Sequence, residues 1–301
     1  MRKIYLYWVV FVGMLILAVV PIEAKNKRVV MLALDGVSVE GFKRAHTPNL
    51  DKLLAEGALS LTTRVVMPSM TQANWTSQLT GSGPEQHGVY TNDWQLDKAV
   101  LPPVDKDEKG YYPSLFKVLK DNVKGMKTAF CYNWGNLINP YNKDYLDAVI
   151  YDEDEARMPY CDKAFDFIVA NREQPTVVFL YTGHTDGAGH THKWMSPEYL
   201  KAIEEADQQI GAFLDKLSQE GLLEDTYFML LSDHGGLGYE HGGMTVDEMI
   251  VPWGIVGPRI KKGFEIKEPN NTVNTASVIL KLFNVKQPLC WTGEVPMSIF
   301  K

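Results

Sequence analysis

Six Asp and His side chains stand where runs of apolar residues give way to small ones. Asp35 closes "LALDG", Asp186 and His190 lie in "YTGHTDGAGH", and Asp233, His234 and His241 lie in "LLSDHGGLGYEH". Carboxylate and imidazole are the ligands that zinc and similar divalent ions accept. A hydroxyl residue, Thr71 in "PSMTQANW", opens a further helical stretch. Taken singly, each stretch also reads as an ordinary turn, because Asp, His and Gly are common turn residues. What separates the two readings is whether the chain brings these ends together.

The flanking elements say that it does. "RVVMLAL" (28–34) is a short β-branched run and reads as a buried strand. Further strands are expected at "LTTRVVM" (61–67), "KTAFCYNW", "PTVVFLYTG" (175–183), "DTYFMLLSD" and "VPWGIVG". Helical patterns alternate with them. "TPNLDKLLAEG" has Thr47 as cap, Pro48 at the first position and Gly57 as stop. "TQANWTSQLTG" opens at Thr71 and closes at Gly81. "YPSLFKVLKD", "PYCDKAFDFIVAN", a long stretch capped by Ser196 ahead of Pro197, and "NTASVILKLFNV" complete the set. Most strands lack strict polar alternation, so the expected fold class is α/β, a mostly parallel central sheet with helices on both faces. In such sheets, sites form at the carboxyl ends of the strands, and all six Asp and His residues are at those ends. The segment 92–112 is the least regular and reads as a long loop or small hairpin.

Composition is that of an ordinary globular chain: 301 residues, 45% hydrophobic, 22% charged. The net charge of −7 and the lack of a basic block argue against a nucleic-acid-binding surface. An anionic substrate would then need a local positive centre, such as metal ions or a helix N-terminus. Arg2 and Lys3, the apolar run from Ile4 to Val20 and the small residue Ala24 read as a secretory signal peptide over 1–24. That places a single domain at 25–301 in a secreted or periplasmic compartment, with no membrane attachment after cleavage. An uncleaved N-terminal membrane anchor is the alternative, the run being near the lower limit for spanning. Cys131, Cys161 and Cys290 show no CxxC spacing and allow at most one bridge, so this is no disulfide scaffold.

Together "LALDG", "PSMTQAN", "GPEQHGVYTN", "DGAGH", "SDHG" and "HGG" resemble, in order and rough spacing, the alkaline phosphatase superfamily. Within it the similarity is to the type I phosphodiesterase/nucleotide pyrophosphatase branch, over about residues 28 to 284. The resemblance implies an alkaline phosphatase-like fold and two zinc ions. Asp186, His190 and His241 would hold one ion, and Asp35, Asp233 and His234 the other, with Thr71 beside the second. Asn92 would face a non-bridging phosphate oxygen next to the Thr71 N–H. The implied course is a phosphothreonine at Thr71 and then its hydrolysis. A metal-assisted threonine makes chemical sense, since a free hydroxyl is a poor nucleophile at neutral pH.

The superfamily hosts several chemistries, so fold does not fix substrate. A sulfatase needs a Cys or Ser in a C/S-x-P-x-R pattern, and Thr71 in "SMTQAN" does not fit. Monoesterases add an arginine or a lysine–arginine pair for the doubly charged phosphate. Lys124, Lys127 and Lys143 do not lie in such a motif. The expected substrate is therefore a small phosphodiester or nucleotide-like molecule, with a phosphate monoesterase as the alternative. A non-catalytic zinc-binding protein is a third reading. It is opposed by three side-chain ligands per ion, which leave an open position, where structural zinc sites fill all four. Of the other residues, His87 is expected to be structural, His184 and His192 to be loop histidines, and His46 to lie on the surface. Trp75, Trp94, Tyr132 and Trp134 are divided between pocket and core.

Overall fold

All seven residues of β1 (Arg28–Leu34) are buried, as an apolar strand covered on both faces requires. The computed structural model describes residues 27–153 and 160–301, and the expected signal peptide lies outside them. The other strands are β2 (Gly57–Arg64), β3 (Lys127–Tyr132), β4 (Ala148–Tyr151), β5 (Thr176–Thr182), β6 (Thr226–Leu231), β7 (Ile250–Val256) and β8 (Phe264–Glu265). They form one sheet in the order β4-β3-β5-β1-β6-β7-β2-β8. Pairings on either side of β1 are parallel, with Leu34 opposite Thr182 and Ala33 opposite Leu231. β7 is antiparallel to both its neighbours, β6 and β2. The sheet is thus mixed, with β7 the strand that runs against the rest.

The helices are α1 (Val39–Arg44), α2 (Pro48–Leu54), α3 (Thr71–Thr80), α4 (Pro84–His87), α5 (Leu115–Asn122), α6 (Tyr160–Ala170), α7 (His184–His192), α8 (Pro197–Gln219), α9 (Val246–Met249) and α10 (Asn274–Leu282). They divide between the two faces. Val29, Met31 and Ala33 of β1 pack with side chains of α3, α5 and α10. Val30, Leu32 and Leu34 pack with those of α1, α2, α6 and α8. Alternate residues of one strand thus feed two cores, the layered arrangement expected of this class. Among the described residues no helix is long and apolar enough to cross a membrane.

Local chemistry sets the ends that matter for the site. Ser196 accepts a hydrogen bond from Tyr199 N–H and starts α8 just ahead of Pro197. α3 begins at Thr71 and ends at Gly81, whose φ of 58° is the left-handed cap that Gly supplies. Two expectations shift, while the long-loop reading of 92–112 holds. Gly57 is the first residue of β2 instead of the stop of α2, which ends at Leu54. β2 also stops at Arg64, so the strand starts and ends earlier than 61–67. Within 92–112 there is one short 3-10 turn, Leu96–Lys98, and no hairpin strand. The three cysteines are unbonded.

Candidate active site

The parallel strands deliver their carboxyl ends to one edge. β1 ends at Leu34 and β5 at Thr182, so Asp35 leaves the sheet directly beside the turn into α7. There the Asp35 N–H donates to the Thr182 carbonyl at 3.0 Å. Asp186 and His190 sit one helical turn apart on α7 and so share a face. β6 ends at Leu231, two residues before Asp233. Gly36 allows the crossing: its φ is 69°, and a Cβ there would come within 3.0 Å of Asp186. Gly236 is equally constrained, since a Cβ would meet the Trp194 ring at 2.2 Å.

The six residues assemble into two groups, Asp186–His190–His241 and Asp35–Asp233–His234, the ligand atoms within each lying within 4.8 Å of one another. Asp35, Asp233 and His234 are fully buried, whereas His190 keeps 37% of its side chain exposed. One group is therefore deep and the other opens to solvent.

The histidines share one device. His234 Nδ1 donates to the Gly235 carbonyl at 2.8 Å, His241 Nδ1 to Ser69 at 2.8 Å and His190 Nδ1 to Tyr239 at 2.7 Å. A carbonyl only accepts, so the proton sits on Nδ1 in each neutral ring and Nε2 is left as a bare lone pair. His234 Nε2 then faces Asp35 Oδ1 at 3.4 Å, Asp233 Oδ2 at 3.2 Å and Thr71 Oγ1 at 3.1 Å. Neither of those two carboxylate oxygens has a hydrogen-bond donor among the described residues. Acceptor lone pairs thus face one another at 3.2 to 3.4 Å. Burial pushes both carboxyls well above their ordinary range, and the negative charges of neighbouring aspartates add to it. Burial also holds the His234 imidazole well below its usual value, keeping it neutral. Such an arrangement fits a bound cation, which replaces mutual repulsion by coordination.

Asp35 is held from behind. Tyr181 O–H donates to its Oδ2 at 2.6 Å and Trp75 Nε1–H at 3.2 Å, and the Gly36 N–H donates to Asp233 Oδ1 at 3.0 Å. Neither Tyr181 nor Trp75 is singled out as a carboxylate donor by sequence reasoning. Trp75 carries a signal, being four residues after Thr71 and so on the same side of α3. Tyr181 carries none, since its contact with Asp35 depends on the β1–β5 register. Thr71 is the first residue of α3, where backbone N–H groups lack helical partners. Asn92 sits against this end, its Oδ1 accepting from Gln72 N–H at 3.0 Å and its Nδ2 lying 3.5 Å from Thr71 Oγ1.

Other residues take plainer roles. His87 is buried between Ser77 Oγ and Val89 N, as a structural histidine. His46 is exposed. His184 and His192 are on α7, not in a loop, and His184 pairs with Glu205 at 2.9 Å. Trp75, Trp94 and Tyr132 are buried in the fold, and Trp134 is half-buried.

The family model for type I phosphodiesterase / nucleotide pyrophosphatase matches residues 29–262. The chain is 28% identical over 221 residues to mouse ectonucleotide pyrophosphatase/phosphodiesterase family member 3, covering 69% of this chain and 24% of that protein. It is 28% identical over 216 residues to the venom phosphodiesterase of Macrovipera lebetinus, covering 66% and 25%. The chain thus spans about a quarter of the length of these curated relatives. Among solved structures it is similar to murine ectonucleotide pyrophosphatase/phosphodiesterase 5, an inactive variant in complex with AMP. The TM-score is 0.76 at 14% identity, over 92% of this chain and 100% of that one. A lipoteichoic acid synthase of Listeria monocytogenes shares the fold at TM-score 0.68 and 18% identity, over 92% and 77%.

Proposed function

The chain belongs to the type I phosphodiesterase / nucleotide pyrophosphatase family, and from that premise we propose that it hydrolyses phosphodiester or pyrophosphate bonds through a phosphothreonine at Thr71. The observation that carries this reading is the position of Thr71 Oγ1, 3.1 Å from His234 Nε2 at the start of α3, with Asn92 Nδ2 beside it. Asp35, Asp233 and His234 would hold one zinc ion and Asp186, His190 and His241 a second. When bound, the metal supplies positive charge to the nucleophile and to the departing oxygen.

The chain's own residues do the rest. Thr71 Oγ bonds to phosphorus and the opposite P–O bond breaks. The hydroxyl proton is lost to solvent and the leaving oxygen takes one up. Asn92 Nδ2 and the Thr71 N–H at the start of α3 receive the charge on the non-bridging oxygens. Water then cleaves the Oγ–P bond, restoring the threonine hydroxyl and releasing the phosphate monoester. The substrate is a small diester or nucleotide-like molecule. We also read 1–24 as a signal peptide, 25–301 as one catalytic domain, and the protein as exported. N-terminal sequencing of the mature protein should then begin at Lys25.

The test compares zinc-loaded protein on p-nitrophenyl phosphate, bis-p-nitrophenyl phosphate and p-nitrophenyl thymidine monophosphate, with Thr71→Ala as control. Faster turnover of the diesters, lost in the variant, is the expected result. Preference for the monoester replaces this reading with a phosphate monoesterase. No turnover of any substrate with zinc bound favours a non-catalytic zinc protein.

A further inference from the structure

The turn that carries His241 has a composition the chemistry above does not use. Between His234 and Met249 there is no Lys or Arg. Leu237 and Tyr239 are each 54% exposed and Met244 is 73% exposed, although large apolar side chains usually find cover. Glu240, with 84% of its side chain exposed, brings a carboxylate oxygen 4.0 Å from His190 Nδ1. The turn is not loose. Leu237 and Glu240 pair backbone to backbone at 2.9 and 3.3 Å, and Trp194 N–H donates to the Gly238 carbonyl at 2.8 Å. His190 fixes it from the site side through the Tyr239 carbonyl.

Its position gives it a role. Thr71 lies beside the Asp35–Asp233–His234 group, so an in-line displacement sends the leaving oxygen to the opposite side, over the Asp186–His190–His241 group. The turn borders that group, through the Tyr239 carbonyl on His190 Nδ1 and the Glu240 carboxylate 4.0 Å from the same nitrogen.

We propose that the Leu237–Glu240 turn is the leaving-group wall of the site. It selects diesters whose leaving group is apolar and uncharged over pyrophosphates, whose leaving group is a phosphate anion. This rests on the phosphodiester-cleaving reading above. Leu237 and Tyr239 supply apolar area to the departing group, and Glu240 repels an anion where a cationic side chain would attract one.

Two measurements test it. Calorimetry on zinc-loaded Thr71→Ala protein compares the methyl and hexyl esters of thymidine 5′-phosphate, with and without the added pair Leu237→Ser and Tyr239→Ser. The hexyl ester should bind more tightly, and the pair should lower the hexyl-to-methyl ratio about tenfold, as lost apolar burial predicts. Kinetics on the otherwise unaltered enzyme compare the hexyl ester with a dinucleoside pyrophosphate. Glu240→Lys should raise the relative kcat/KM for the pyrophosphate about fivefold, a modest gain at an exposed site. Equal losses for both esters would make the two side chains structural supports and overturn the proposal, as would an unchanged ratio with Glu240→Lys. The binding arm needs no turnover. If the hexyl preference and its loss are seen in an enzyme that cleaves neither ester, the wall stands and only the catalytic reading falls.

Discussion

His234 and His241 stack face to face, ring centroids 3.7 Å apart and planes 15° from parallel, although each belongs to a different ligand group. Each ring is also tied through Nδ1 to a different backbone carbonyl, Gly235 for one and Ser69 for the other. The two groups therefore share a wall. His241→Ala should weaken zinc at the intact Asp35–Asp233–His234 group by about fivefold or more, the lower end of ordinary site-to-site coupling. Competition with a chelator of known affinity reads this directly. Unchanged affinity at the remaining group would show that the stack transmits nothing.

Metal removal should lower stability. Asp35 and Asp233 are buried, and their carboxyls are pushed up by burial first and then by neighbouring negative charge, that of Asp186 on Asp35 and those of Asp35 and Asp186 on Asp233. A cation bound only by the folded state adds about 2.7 kcal/mol per site at a hundredfold excess over Kd. Chelated protein should therefore melt several degrees below the zinc-loaded form in a thermal scan. The gain should fall by about half in Asp233→Ala, which lacks a buried ligand of one group and keeps the other group whole. Equal melting of both forms of the unaltered protein would count against a cation in this cluster.

Asn92 uses its two amide atoms differently. Its Oδ1 accepts from Gln72 N–H, which fixes the side chain, and its Nδ2 points towards Thr71 Oγ1. Asn92→Asp keeps the acceptor and removes the donor. It should lower kcat by about 10²–10³, the cost of losing one preorganised donor to developing charge. Zinc content should be unchanged, as measured by metal analysis. A variant with near-normal kcat would remove Asn92 from charge stabilisation.

Tyr181→Phe removes one of two donors that orient Asp35 while keeping the ring that packs edge-on against Trp75. Loss of a partner behind a metal ligand costs about 10–100-fold in metal affinity. Zinc titration of the variant should show that loss with the melting profile of the metal-free protein preserved. An unaltered affinity would mean that Trp75 alone suffices.

Tyr181 also marks the limit of what the linear chain reveals. The convergence of the six Asp and His residues was legible because they lie in the segments that leave β1, β5 and β6, and strand ends in a parallel sheet share one edge. The two-layer core was legible because β1 is apolar from Val29 to Leu34. The Tyr181 donor to Asp35 was not, because its identity depends on register between strands far apart in sequence. The reversed direction of β7 was hidden for a similar reason: "VPWGIVG" reads equally well in either orientation. α2 was misjudged at its end because Gly57 suits both a helix stop and a strand start, and pairing with Val256 in β7 settled it as strand. His184 was placed in a loop because "HTDGAGH" has low helix propensity. Packing of α7 against α8, with the His184–Glu205 pair, holds it helical nonetheless.

The last prediction concerns His87, away from the reacting atoms. Burial pushes its pKa down to about 3 from an ordinary 6.5. Its Nδ1 accepts from Val89 N–H at 3.0 Å, and its Nε2 lies 2.9 Å from Ser77 Oγ, whose own hydroxyl donates to the Ala73 carbonyl. The ring therefore carries its proton on Nε2, and a second proton on Nδ1 would face a backbone N–H. Below pH 6.5 the unfolded chain takes up a proton here that the folded chain refuses until about pH 3. Stability is fully present above 6.5 and is lost as pH falls through that window, at a slope of up to about 1.4 kcal/mol per pH unit. His87→Asn retains an acceptor near the Nδ1 position and does not titrate, so it should flatten this part of the profile even if it is less stable at neutral pH. Denaturant unfolding at several pH values between 4 and 7, with each variant compared with its own neutral value, measures the slope. A slope as steep in the variant as in the unaltered protein would assign the acid sensitivity to other groups.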